Sequence, residues 1–108
     1  MGLRIKLRKH NNMPVLQLSG SAVGEDVRKI SEKISELADG DAPTVIMDIA
    51  DLESVDSNGL GAFVFSWKLL DSKHKKLLFV NPTAFIKDLL EGANLHKVFT
   101  IVDSMEEL

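Results

Sequence analysis

The chain has 108 residues, 44% of them apolar and 27% charged, with no cysteine. That is the size of one domain with a core of its own, expected over residues 1–108, and it excludes disulfides, thiolate nucleophiles and cysteine-based metal centres. Thirteen basic against sixteen acidic side chains give a net charge of −3, which argues against a sequence-independent nucleic-acid binder, whose phosphate contacts demand a basic balance.

In chain order, Leu3, Ile5 and Leu7 alternate with Arg4, Lys6 and Arg8. This predicts a strand over about Leu3–Lys9 with one wet face, rather than a secretory signal. Met1-Gly2 followed by Lys6 is no myristoylation signal. His10-Asn11-Asn12-Met13 is a polar turn, where asparagine accepts the left-handed backbone. Val15-Leu16-Gln17-Leu18 returns as a second strand, paired with the first as a hairpin, with Pro14 at its start. Gly20-Ser21-Ala22-Val23-Gly24 then breaks the pattern.

From Glu25 to Ala38 the period becomes helical, with Val27, Ile30, Ile34 and Leu37 on one face, acids in the first turn and Gly40 as the stop. Thr44–Ile49 is almost continuously apolar, as a strand covered on both faces should be. A loop is expected through Asp51 and Glu53 to Gly59, then a second helix to about Asp71. Its stripe is Leu60, Phe63, Val64, Trp67 and Leu70, each worth about 1.5–3 kcal/mol when buried. A basic run, Lys73-His74-Lys75-Lys76, precedes the short strand Leu77–Val80. Asn81 reads as a cap and Pro82 as the first residue of a third helix, which carries Phe85, Ile86, Leu89 and Leu90 and ends near Gly92. Val98-Phe99-Thr100-Ile101 leads into a last strand, and Ser104 opens a terminal helical turn.

The order β-β-α-β-α-β-α-β predicts an α/β fold: a single-layer, mixed, mostly parallel sheet of four to five strands with helices packed on it. The loops at the carboxyl ends of the strands (Gly20–Gly24, Ala50–Gly59 and Asn81-Pro82) then gather at one end, where sites form. No apolar run approaches the roughly 18 residues of a membrane span. The lack of cysteine fits a reducing, cytoplasmic setting.

The residues give an enzyme little support. His10, His74 and His96 show no ligand spacing. Gly59-Leu60-Gly61 lacks the rest of any phosphate or dinucleotide fingerprint. Ser57 is outside a nucleophile elbow, with no histidine placed to activate it. The expectation is no catalysis, no metal and no cofactor.

The segment Asp48 to Gly61 stands out. Asp48, Asp51, Glu53 and Asp56 are four acids without a base among them. Ser57 has two readings: a helix N-cap, or a phosphoacceptor whose phosphate meets N–H donors and the helix dipole and adds about −1.5 to −2 charges. Gly59 and Gly61 each cost a helix about 0.5–1 kcal/mol against alanine. That cost points to tight internal packing or to close approach by a partner.

Asp56-Ser57-Asn58-Gly59-Leu60-Gly61, directly after Val45-Ile46-Met47-Asp48-Ile49-Ala50-Asp51-Leu52, resembles the central motif of STAS domains. Leu89–Phe99 followed by Ile101-Val102-Asp103-Ser104 is similar to the ending of that family. In size the chain looks like a bacterial anti-sigma-factor antagonist. The resemblance implies partner switching, in which the unphosphorylated antagonist binds an anti-sigma factor that is also a serine kinase. The kinase phosphorylates the antagonist, the complex separates, and a phosphatase resets it. By position the acceptor is Ser57 and the motif acid Asp56. Asp56, Asn58, Gly59, Leu60, Gly61 and Ser21 are expected to shape the partner surface, with no direct nucleic-acid contact and no membrane insertion. Asn58 stands where the family usually has Ser or Thr, and Ser21-Ala22-Val23 follows Gly20 where relatives commonly carry two acids. The alternative left open is a non-phosphorylated STAS subunit of a transporter or another regulatory complex.

Overall fold

Five strands and three helices alternate along the chain. A computed structural model describes residues 2–108; Met1, and with it part of the Met1-Gly2 reading, lies outside the described residues. The strands are β1 (Arg4–His10), β2 (Met13–Ala22), β3 (Thr44–Val55), β4 (Lys76–Val80) and β5 (Thr100–Val102); the helices are α1 (Arg28–Ala38), α2 (Ser57–Ser72) and α3 (Ala84–Gly92). They form one mixed sheet in the order β1-β2-β3-β4-β5. Only the β1–β2 pair is antiparallel. Its hairpin is closed by Asn11 and Asn12 at φ of 50° and 66°, the two left-handed residues that a two-residue turn matching the strand twist requires.

Strand order that follows chain order, joined by right-handed crossovers, puts all three helices on one face. The main core lies there, with Ile30 and Ile34 of α1, Phe63 and Leu70 of α2, and Ile86 and Leu90 of α3 against Leu16, Leu18, Met47, Ile49 and Phe79. Phe63, Phe79 and Phe99 form an aromatic row, with centroid separations of 5.2 Å and 4.5 Å. The opposite face has a small cluster, Val15, Ile46 and Val80, against which Met105 and Leu108 of the terminal turn pack. That turn starts with a capping box between Ser104 and Glu107.

The departures from the sequence reading concern the ends of elements. Gly20 does not end β2. It sits inside the strand at φ +88°, and a Cβ there would stand 2.2 Å from the Gly2 carbonyl oxygen; the break comes at Val23-Gly24. The expected loop from Ala50 is mostly strand, since β3 continues to Val55. Leu52 is buried in the main core between exposed Asp51 and Glu53, the period-two pattern of a strand with one wet face. Glu25 lies in a 3-10 turn, Gly24–Val27, ahead of α1. Thr83, not Asn81, caps α3, its Oγ1 accepting from the Ile86 N–H at 3.2 Å. Asn81 is a left-handed turn residue at φ 60°. Phe85 is 58% exposed, so the inward face of α3 is Ile86 and Leu90, with Leu89 partly buried beside them.

Candidate functional site

The site grows from the junction of β2, β3 and α2. The backbone of β3 ends at Val55, and Asp56 is the extended residue that turns it into α2. Asp56 is the N-cap; Ser57 is the first helical residue. One carboxylate oxygen of Asp56 accepts from the Gly59 N–H at 3.0 Å and the other from the Gly24 N–H at 3.1 Å. The Asp56 N–H donates to the Ala22 carbonyl at 3.3 Å. This one residue therefore fastens the end of β2 and the turn after it to the start of α2. The bond from Gly59, then that from Gly24, holds the Asp56 carboxyl below the usual aspartate range; partial desolvation opposes them, and Asn58 adds a smaller lowering.

Capping by Asp56 leaves the Ser57 hydroxyl free of that duty and exposed. It also changes the surroundings a phosphate would meet. The Gly59 N–H at the start of α2 is already held by the Asp56 carboxylate, so a phosphate on Ser57 would have that carboxylate as a neighbour and outward solvent as its outlet.

The two glycines have different causes. A Cβ on Gly59 would stand 2.2 Å from the Ala22 carbonyl oxygen and 2.6 Å from Val55 Cγ1, whereas one on Gly61 would meet nothing within 4 Å. Gly59 is bare so that α2 can seat on the strand ends. Gly61 is bare toward solvent. Residues four apart on a helix lie on one face, so Ser57, Gly61 and Phe65 form one outward row; Phe65 is 45% exposed. Phe65 was absent from the sequence reading of the site. Its signal was present, because it falls off the inward stripe of Phe63, Val64, Trp67 and Leu70.

The remaining expected residues divide. Asn58 is exposed and its amide lies 3.5 Å from Asp56 Oδ2. Leu60 is half-buried and packs against the main core. Ser21 is directed at β3, its hydroxyl accepting from Ser54 Oγ at 2.8 Å; Ala22 and Gly24 make the contacts to α2 instead. Nor do the four acids share a loop. Asp48 is buried, accepting from the Asn81 side chain at 3.2 Å and the Ala50 N–H at 3.1 Å. Asp51 and Glu53 line an open 780 Å³ groove with Arg4, Ser19, Thr83 and Phe85.

The family model for the STAS domain matches residues 4–108. The chain belongs to the STAS domain family. A relative from Paenibacillus polymyxa, named anti-sigma F factor antagonist, is 22% identical over 105 residues, covering 96% of this chain and 90% of the relative. Two solved structures share the fold. An anti-sigma factor antagonist from Mycobacterium paratuberculosis superposes with a TM-score of 0.84 at 15% identity, over 98% of this chain and 90% of its own. The Bacillus cell fate determinant SpoIIAA in its phosphorylated form gives 0.74 at 22% identity, over 96% and 95%. The five-stranded mixed sheet with three helices is thus the STAS fold, and the Asp56–Gly61 motif of this STAS domain lies at its β3–α2 junction. Among the described residues no helix is long and apolar enough to cross a membrane.

Proposed function

We propose that this STAS domain is a cytoplasmic anti-sigma-factor antagonist that works by partner switching and has no catalytic role. Its unphosphorylated form binds an anti-sigma factor that is also a serine kinase; phosphorylation of Ser57 separates the pair and a phosphatase restores it. Residues 1–108 act as one module, without direct nucleic-acid contact. The observation that carries the reading is the position of Ser57: exposed, relieved of capping by Asp56, and at the head of a row formed with bare Gly61 and exposed Phe65. The Paenibacillus relative named as an antagonist supports the same role.

The mechanism follows from charge and shape. A partner surface seated on Gly61 comes close to the helix backbone and excludes water from Ser57. A phosphate brings about −1.5 to −2 charges there, beside the anionic Asp56. An unpaired charge in a desolvated contact costs on the order of 2–5 kcal/mol, so the complex weakens roughly thirtyfold or more. The fold itself is spared, because the Ser57 side chain points outward.

One observation favours a second reading, a constitutive binding module such as a transporter-associated STAS subunit. The end of β2 carries no acid of its own, and Glu25, five residues past Gly20, is the next acid along the chain. Titrating the anti-sigma factor with the Ser57→Asp variant separates the two. Partner switching predicts at least a tenfold loss of affinity at unchanged melting temperature. Unchanged affinity would favour the constitutive module.

A further inference from the structure

The outer edge of β1 is an unused strand-pairing surface. The hairpin closes on His10 and Met13. In a two-residue hairpin that pair exchanges backbone bonds, so Arg4, Lys6 and Arg8 bond inward to β2 while Ile5, Leu7 and Lys9 turn their N–H and C=O groups out. Leu3 belongs to the outward set and shows it: its N–H donates to Asp26 Oδ2 at 3.3 Å and its carbonyl accepts from Lys29 Nζ at 3.5 Å. Past Leu3 no such cover is seen among the described residues. Ile5 to Lys9 is an open edge of five residues, a common length for a strand.

The chemistry along this edge is one-signed. Arg4, Lys6, Arg8 and Lys9 are four of the 13 cations of a chain with net charge −3, and none is in an ion pair among the described residues. Between β1 and α1 runs a groove of 440 Å³ lined by Leu3, Arg4, Ile5 and Lys6 with Lys29, Glu32 and Lys33 of α1. Lys29 and Lys33 are paired with Asp26 and Glu36 at 3.8 Å and 3.4 Å, so among the described residues the cations without an ion pair there are those of β1. Leu7, 59% exposed, is the apolar contact farther along the strand.

We propose that β1 accepts an extended acidic segment of a partner protein as a sixth strand, separate from the Ser57 surface. Backbone bonds to Ile5, Leu7 and Lys9 give affinity, and the cations select acidic side chains. A second copy is a poor occupant: antiparallel β1–β1 pairing sets cation against cation, which destabilises a sheet.

The test is an NMR titration of the labelled full chain with an acetylated hexapeptide alternating glutamate and valine. Two control peptides replace glutamate by lysine or N-methylate alternate backbone amides. The expected result is saturable shifts and slowed hydrogen exchange at the Ile5, Leu7 and Lys9 amides, with the acidic peptide alone. Leu7→Pro removes an outward N–H where an edge strand tolerates proline, and should abolish binding. The double variant Lys6→Glu, Arg8→Glu keeps every backbone group and should weaken it at least tenfold. Equal binding of the lysine peptide or of the N-methylated peptide would overturn the proposal. So would the absence of shifts in β1, or β1 shifts that depend on protein concentration alone, which would mark a second copy as the occupant.

Discussion

A Cβ placed on Gly59 would stand 2.2 Å from the carbonyl oxygen of Ala22. That contact fixes how far α2 can descend onto the strand ends, and so sets the height at which Ser57 and Gly61 face solvent. Gly59→Ala should therefore force α2 away, at a cost of about 1–3 kcal/mol, read in a denaturant unfolding curve. Gly61→Ala should instead stabilise by about 0.4–1 kcal/mol, since the added methyl meets no neighbour and restricts the unfolded chain. The same Gly61 substitution should weaken anti-sigma-factor binding, because the methyl fills the approach to the helix. A destabilising Gly61→Ala would show that its bareness serves the fold.

The capping assignments separate Ser57 from Thr83. Thr83→Ala removes the bond to the Ile86 N–H and should cost about 0.5–2 kcal/mol. Ser57→Ala removes an exposed hydroxyl with no capping bond and should stay within about 0.5 kcal/mol of the parent. Thermal or denaturant unfolding of the two variants side by side reads the difference.

Asp56 gives the fold an acid-sensitive link. Its carboxyl is held below the usual aspartate range by the Gly59 and Gly24 N–H groups. A depressed folded value means that the unfolded chain takes up a proton first as pH falls. The stabilisation is complete above the ordinary aspartate value of about 3.9 and is lost as pH drops through the lower, folded value. Asparagine caps a helix nearly as well. Asp56→Asn can keep the Gly59 bond but turns an NH2 donor toward the Gly24 N–H, so it should lower neutral-pH stability and flatten the part of the pH–stability curve below about pH 4 that this group supplies.

Phe65 should behave as a surface residue in folding and as an anchor in binding. Phe65→Ser is expected to change stability by no more than about 0.5 kcal/mol. Aromatic anchors at interface centres are worth 2 kcal/mol or more, so calorimetric titration should show at least a tenfold weaker complex. By contrast Phe79→Ala, in the middle of the aromatic row, should cost about 3–5 kcal/mol in stability.

Periodicity made the architecture legible. The helical spacing of Ile30 and Ile34 and the apolar run Val45–Ile49 marked a helix with one buried face and a strand covered on both, because burial on one or both faces dictates those patterns. Junctions were less legible. Asp56 and Ser57 are both good caps, and only the positions of the Gly59 and Gly24 N–H groups decide between them. Gly20 looked like a strand end because a close backbone crossing and a turn both call for glycine. Ala50–Val55 looked like a loop because its acids hide a strand whose alternate residues face solvent. Phe85 looked like core because a nine-residue helix gives too few turns to separate its inward from its outward face.

The central claim is that Ser57 carries a reversible phosphate. Intact-mass spectrometry of the chain purified from its own cells, with and without phosphatase, tests it most directly. The account predicts a phosphatase-sensitive gain of one phosphate that peptide mapping places on Ser57. An unmodified chain under growth and stress conditions alike, or a phosphate on another residue, would contradict it.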